Sequence, residues 1–230
     1  MELLGLPADV ANGTNRVGVA ANSAAAALGF HRGGRYEQPP ERRRDTVRIV
    51  VLVTLGALLG VYLSLIVSNA AFRQIFRYLL IVMLVVILVR PKRWLAAPPD
   101  AEPLSPWLGV PLYFLLGVYG GFIQMGMGVF FLAVAVLVAR YEIIYANAVK
   151  ALSIIIYTLV AVGVFAWRGL IAWEIGLLMA LGQTIGGYLT AKFASRDPRA
   201  GQWAYRLLVV VVIGAILRAF WPEITGVIAG

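Results

Sequence analysis

Apolar residues run along this chain in long uninterrupted blocks. Positions 49–67, 151–167 and 175–191 carry no charged side chain. A helix needs about 20 mostly apolar residues to cross a hydrocarbon layer roughly 30 Å thick. The first block meets that length alone and the others do so with their flanks. The pattern predicts helices at 8–30, 47–68, 72–90, 106–139, 143–167, 171–194 and 202–220. The expected fold class is all-α: a polytopic helical membrane protein with about seven membrane segments. As one straight helix, 106–139 would be about 50 Å long and would overshoot the membrane. Its middle reads GGFIQMGMG (120–128), and each glycine costs a helix about 1 kcal/mol against alanine. A break or re-entrant turn is expected there.

The pattern also repeats. A shift of 135 lays Ala11, Asn12, Val17, Phe30 and Gly34 on Ala146, Asn147, Leu152, Phe165 and Gly169. LGALLGVYLS (55–64) then matches LGQTIGGYLT (181–190), and FRYLL (76–80) matches YRLLV (205–209). Three matches in one order predict a first repeat at 1–95, a proline-rich linker at 96–105 and a second repeat at 106–230. Internal repeats are a common architecture of secondary transporters. The first repeat shows no counterpart of the long opening segment 105–140. An in-frame, glycine-centred stretch of about 30 codons upstream of Met1 is expected on that ground. The paired glycines Gly56/Gly60 and Gly182/Gly186 are expected to be helix-packing faces.

Composition narrows the class further. The chain is 61% hydrophobic and 13% charged, against about 25% charged in soluble domains. Its net charge of +9 does not signal nucleic acid. Arg32, Arg35, Arg42, Arg43, Arg44 and Arg48 crowd one connector, and Arg90, Lys92 and Arg93 another. Basic loops beside spans mark the cytoplasmic side and suit lipid headgroups. There is no cysteine, and His31 is the sole histidine, so no metal site and no cofactor is expected. No nucleophile–base pair or phosphate loop appears, so no enzyme is expected. A cell-membrane, multi-pass location follows.

Within the apolar blocks a few polar residues recur at helical spacing. Asn12, Asn15, Arg16 and Asn22 mark one stripe; Asn147, Lys150 and Tyr157 mark its counterpart. Residues three or four apart share a helix face, and a charge at mid-bilayer costs at least ~2.5–3.5 kcal/mol. Either the cations snorkel to the interface, or the stripes line an interior polar site. The asparagines cannot snorkel far, and neither stripe holds an acid, which favours an anionic ligand. Gly121, Gln124, Gly126 and Gly128 of the broken segment complete the candidate set, since a helix break exposes backbone N–H groups to anions.

ANGTNRV with the later FHRGG, then GGFIQMGMGVFFL, ANAVK and LGQTIGGYL together resemble the sulfite exporter TauE/SafE family, and the resemblance spans nearly the whole chain. It implies two repeated membrane units and sulfur oxyanions or organosulfonates as substrates. The expected function is a secondary transporter for a small sulfur-containing anion, working by alternating access. The expected partners are that anion and membrane lipids, with room for a proton or sodium ion as coupling ion and for a homo-oligomer. A non-transporting membrane subunit and an anion channel stand as alternatives. Charge further favours inverted repeats with a re-entrant turn at 120–128 near the midplane, because that arrangement puts Lys192, Arg196 and Arg199 on the cytoplasmic side.

Overall fold

A computed structural model describes residues 5–37, 39–88, 105–194 and 200–221, with side chains throughout except at 106, 187–205 and 208. The linker at 96–104, Arg90, Lys92, Arg93, Arg196 and Arg199 lie outside the described residues. The described residues are helical with short connections. In order they are α1 (Ala8–Arg32), α2 (Pro40–Ile66), α3 (Asn69–Leu88), α4 (Pro106–Phe122), α5 (Met127–Leu132) running into a π-helical turn (Ala133–Val138), α6 (Ile143–Trp167), α7 (Trp173–Ala194) and α8 (Ala200–Ala219). Prolines sit where helices start, at Pro40 and Pro106, because the first turn has no partner for their missing N–H.

α1 and α6 end in the same way. Gly34 and Gly169 both take a left-handed φ of 68°. Arg35 N–H donates to Phe30 O at 3.0 Å and Leu170 N–H donates to Phe165 O at 2.9 Å. Gly34 N–H also reaches His31 O, as Gly169 N–H reaches Ala166 O, both at 3.0 Å. This paired pattern is a Schellman cap, for which glycine is the residue of least steric penalty.

The segment 106–139 breaks and doubles back. α4 stops at Phe122; Gln124 (φ 65°) and Gly126 (φ 74°) turn the chain, and α5 begins at Met127. Tyr119 O–H donates to Met125 O across the turn. The two limbs then face each other, with Tyr119 against Phe130 (ring centroids 4.9 Å apart) and Tyr113 against Phe131 (6.0 Å). The return limb ends beside the start of α2, where Tyr145 O–H lies 3.1 Å from Arg42 O and 2.7 Å from the Thr46 hydroxyl.

Close glycine contacts set the helix directions. A side chain at Gly56, Gly60, Gly117 or Gly121 would collide with the backbone of Phe114, Val118, Val53 or Ala57, respectively. α2 and α4 therefore run parallel with their backbones in near contact. Thr46 meets Tyr145 and Val61 packs with Ala161, so α6 also runs parallel to α2. α1 opposes them: Gly13 abuts Phe165 and Leu170, while Tyr36 O–H donates to Ala148 O at 2.9 Å. Burial pushes the Tyr36 hydroxyl up to about 12, so it remains a donor at any ordinary pH. α7 follows α1, since Thr14 Oγ1 accepts from Ala172 N–H and Gln183 lies against Gly18. α8 opposes α3, with Phe220 beside Tyr78 and Val212 among Leu80, Met83 and Ile87. The last turns of α1 and α7 and the first turns of α2, α4 and α6 thus gather at one end of the bundle, the end of the arginine-rich segment 32–48.

Polarity is distributed inside out. Asn12, Thr14, Arg16, Ser23, Ser64, Gln124, Ser153 and Thr158 are buried, while Leu55, Leu59, Tyr62, Leu178 and Leu207 are exposed. An apolar surface of this extent suits lipid. Among the described residues three helices, α2, α3 and α6, are long and apolar enough to cross a membrane on length and composition. α1 is as long as α6 but carries the polar stripe, and the limbs of the hairpin, Trp107–Phe122 and Met127–Val138, are shorter apolar pieces. The expected seven segments thus resolve into eight helices among the described residues, because the glycines divide one of them.

A candidate anion site at the tip of a broken helix

α1 delivers Arg16 to the break between α4 and α5. The arginine is fully buried (0% exposed). Its Nη2 donates to Gly121 O and, at 3.4 Å, to Asn12 Oδ1; its Nη1 lies 3.5 Å from Gly120 O. Asn12 Nδ2 donates to Phe122 O at 2.9 Å. The guanidinium also stands 5.0 Å from the centroid of the Phe165 ring, a cation–π contact. Arg16 and Asn12 together satisfy the last carbonyls of α4, which the broken helix leaves without intrahelical donors. The cation also meets the negative end of the helix dipole. At this break it is therefore carbonyl groups that face α1, whereas the sequence suggested N–H groups.

Carbonyls offset part of a buried charge but do not neutralise it. Among the described residues no carboxylate is bonded to Arg16, and its Nε has no partner. Two further polar atoms nearby are unpartnered. Gln124 donates through Nε2 to Thr158 Oγ1 at 2.8 Å, yet its Oε1 is free. The hydroxyl of Tyr157, one residue before Thr158, is buried without a partner and would touch any side chain at Gly120. Native structures leave few buried polar groups unsatisfied, and each calls for an explanation such as a ligand or an ordered water.

The predicted residues do not form one cluster. Asn12, Arg16, Gly121, Gln124 and Tyr157 converge on the tip. Lys150 and Asn147 form a separate pair, Lys150 Nζ donating to Asn147 Oδ1 at 2.7 Å, with the lysine stem against Gly128 on α5. Gly126 faces Met83 of α3. Asn15 is half-buried and Asn22 exposed, so the stripe on α1 turns away from the tip in its second half. The Gly120 and Phe122 oxygens were missed; they belong to the backbone, which no residue type reveals.

A family model described as "Sulfite exporter TauE/SafE" matches residues 1–218. The chain belongs to this family. It is a multi-pass membrane protein of a transporter family. One relative, "Probable membrane transporter protein ORF9" of Sinorhizobium sp, is 32% identical over 104 residues. That alignment covers 45% of this chain and 39% of the relative, well under two thirds of the relative's length. No solved structure matches the chain.

Proposed function

We propose that the protein moves a small anion of the sulfur-oxyanion or organosulfonate class across the cell membrane by alternating access between two inverted halves. The observation that carries this reading is Arg16: a fully buried cation, bonded to no carboxylate among the described residues, beside the unpartnered Tyr157 hydroxyl at the tip of a broken helix. The free Nε and the Tyr157 hydroxyl would donate to anion oxygens, and Asn12 would hold the guanidinium in place. Family membership supports the substrate class. The opposed directions of α1 and α6, which carry matching caps and matching asparagines, support the inverted halves, with the 120–128 turn set between them.

The test is uptake of radiolabelled sulfite, thiosulfate or an alkanesulfonate into proteoliposomes. Saturable uptake is expected. Arg16→Lys should lower its initial rate by about tenfold or more, because lysine keeps the charge but lacks the planar fork that spans two carbonyls and an anion. Uptake equal to that of empty liposomes for every anion tried would overturn the proposal. Uptake that never saturates would replace the transporter with a channel.

A further inference from the structure

The two cations lie at different depths, measured along α6. Arg16 sits over Phe165, and Lys150 is 15 residues earlier on α6. At 1.5 Å per residue Lys150 lies about 10 Å along the axis from Tyr157, which meets Arg16 at the tip, and about 22 Å from Phe165. The lysine head turns further away still, toward Asn147. Each cation has an asparagine on its own helix, Asn12 for Arg16 and Asn147 for Lys150. Each also meets one limb of the hairpin, at Gly120 and Gly121 on α4 or at Gly128 on α5. Lys150 thus faces the return limb, with its stem packed on protein.

Between Lys150 and the tip, α6 presents Ser153, with Tyr157 at the tip itself. They follow Lys150 at spacings of three and four, so all three share a face. Ser153 is 0% exposed and Tyr157 1%, and both hydroxyls are unpartnered. A buried hydroxyl without a partner costs about 1–3 kcal/mol. Two of them in line between two cations form a ladder of donors, and donors in a row are what an anion shedding its water requires.

Resting on the transport reading above, we infer that Lys150 with Asn147 forms a second anion station, and that Ser153 and Tyr157 form the path connecting it to Arg16. The stations are used in turn, Arg16 at the hairpin tip and Lys150 toward the arginine-rich end of the bundle.

Equilibrium binding of radiolabelled thiosulfate and of sulfite to the full chain in detergent counts the stations. Two anions per chain are expected, falling to one in Lys150→Gln. One per chain in the unaltered protein, or no detectable binding, would overturn the two-station inference, as would a Lys150→Gln protein that keeps both binding and uptake unchanged. Ser153→Ala gives a second readout that a misfolded variant cannot mimic. It should keep two bound anions and an unchanged or higher melting temperature, while uptake falls about tenfold; unchanged uptake would remove Ser153 from the path. Uptake with a single bound anion refutes this inference alone, whereas no uptake of any anion refutes the transport reading itself.

Discussion

Gln124 holds a left-handed backbone (φ 65°) that suits glycine far better than glutamine. A non-glycine residue there costs on the order of 1–3 kcal/mol, and the chain accepts this at the turn that receives Arg16. The side chain returns one hydrogen bond, to Thr158, worth about 1 kcal/mol. A structural role for Gln124 and a transport role therefore predict different outcomes for Gln124→Gly. Glycine relieves the strain and loses the bond, so stability should stay within about 1 kcal/mol of the unaltered protein. Uptake should fall at least tenfold, because the amide that ties the tip to α6 through Thr158 vanishes. Melting temperature and initial uptake rate, measured on one preparation, check both halves. A large loss of stability would show that the glutamine is there to hold the turn. Tyr36 gives a simpler case. Tyr36→Phe should cost about 1 kcal/mol for the lost bond to Ala148 O. Burial raises its folded value, so the folded state retains a proton that the unfolded state releases, and this advantage over Phe should fade between pH 10 and about 12.

At the scale of helices, glycine separates contact from mere spacing. Gly56, Gly60, Gly117 and Gly121 bring the α2 and α4 backbones together, and a methyl at any of them would strike backbone atoms of the facing helix. Backbone cannot yield as a side-chain end can, so Gly117→Ala or Gly121→Ala should destabilise by about 2 kcal/mol or more. Gly182 and Gly186 have no described neighbour within 4 Å of such a methyl. Their replacement by alanine should be neutral or stabilising by up to about 1 kcal/mol, as helix propensity dictates. Thermal unfolding of the single variants by tryptophan fluorescence reads the contrast, and equal effects at Gly117 and Gly182 would refute it. Spacing alone made both glycine pairs look like packing faces, because spacing does not say which face a neighbour covers. Much else at this scale was legible. The break at 120–128 followed from excess length and four glycines, and the ends of α1 and α6 were marked by the Phe30/Gly34 and Phe165/Gly169 pairs. α2 starts at Pro40 rather than 47 because an arginine-rich turn can stay helical in water, which an apolar pattern cannot register. Asn12, Arg16, Gln124 and Tyr157 stood in one candidate set; that Arg16 and Asn12 meet backbone carbonyls of α4 could not be read, since no residue type marks a carbonyl.

For the whole molecule, the helix directions turn one charge argument into a topology. Arg35, Arg42, Arg43, Arg44 and Arg48 lie at one end of the bundle, and Arg140 closes the hairpin there. α7 runs toward that end and α8 away from it, and Arg196 and Arg199 lie between the two helices in sequence. The opposite end carries the short 168–172 connector, with Arg168 as its cation and Glu174 just beyond. Positive charge in short loops faces the cytoplasm, so the arginine-rich end should be inside and residues 168–172 outside. The chain has no cysteine, so single introduced cysteines report without background. Arg168→Cys should react with an impermeant thiol reagent on intact cells, and Arg44→Cys only after permeabilisation; both positions are exposed. Arg196→Cys should follow Arg44→Cys. If Arg44→Cys and Arg196→Cys label from different sides, the bundle directions are wrong and the inverted arrangement falls with them. If both label from outside and Arg168→Cys only after permeabilisation, the bundle stands but is inserted upside down, and the Arg16 station would open toward the cytoplasm.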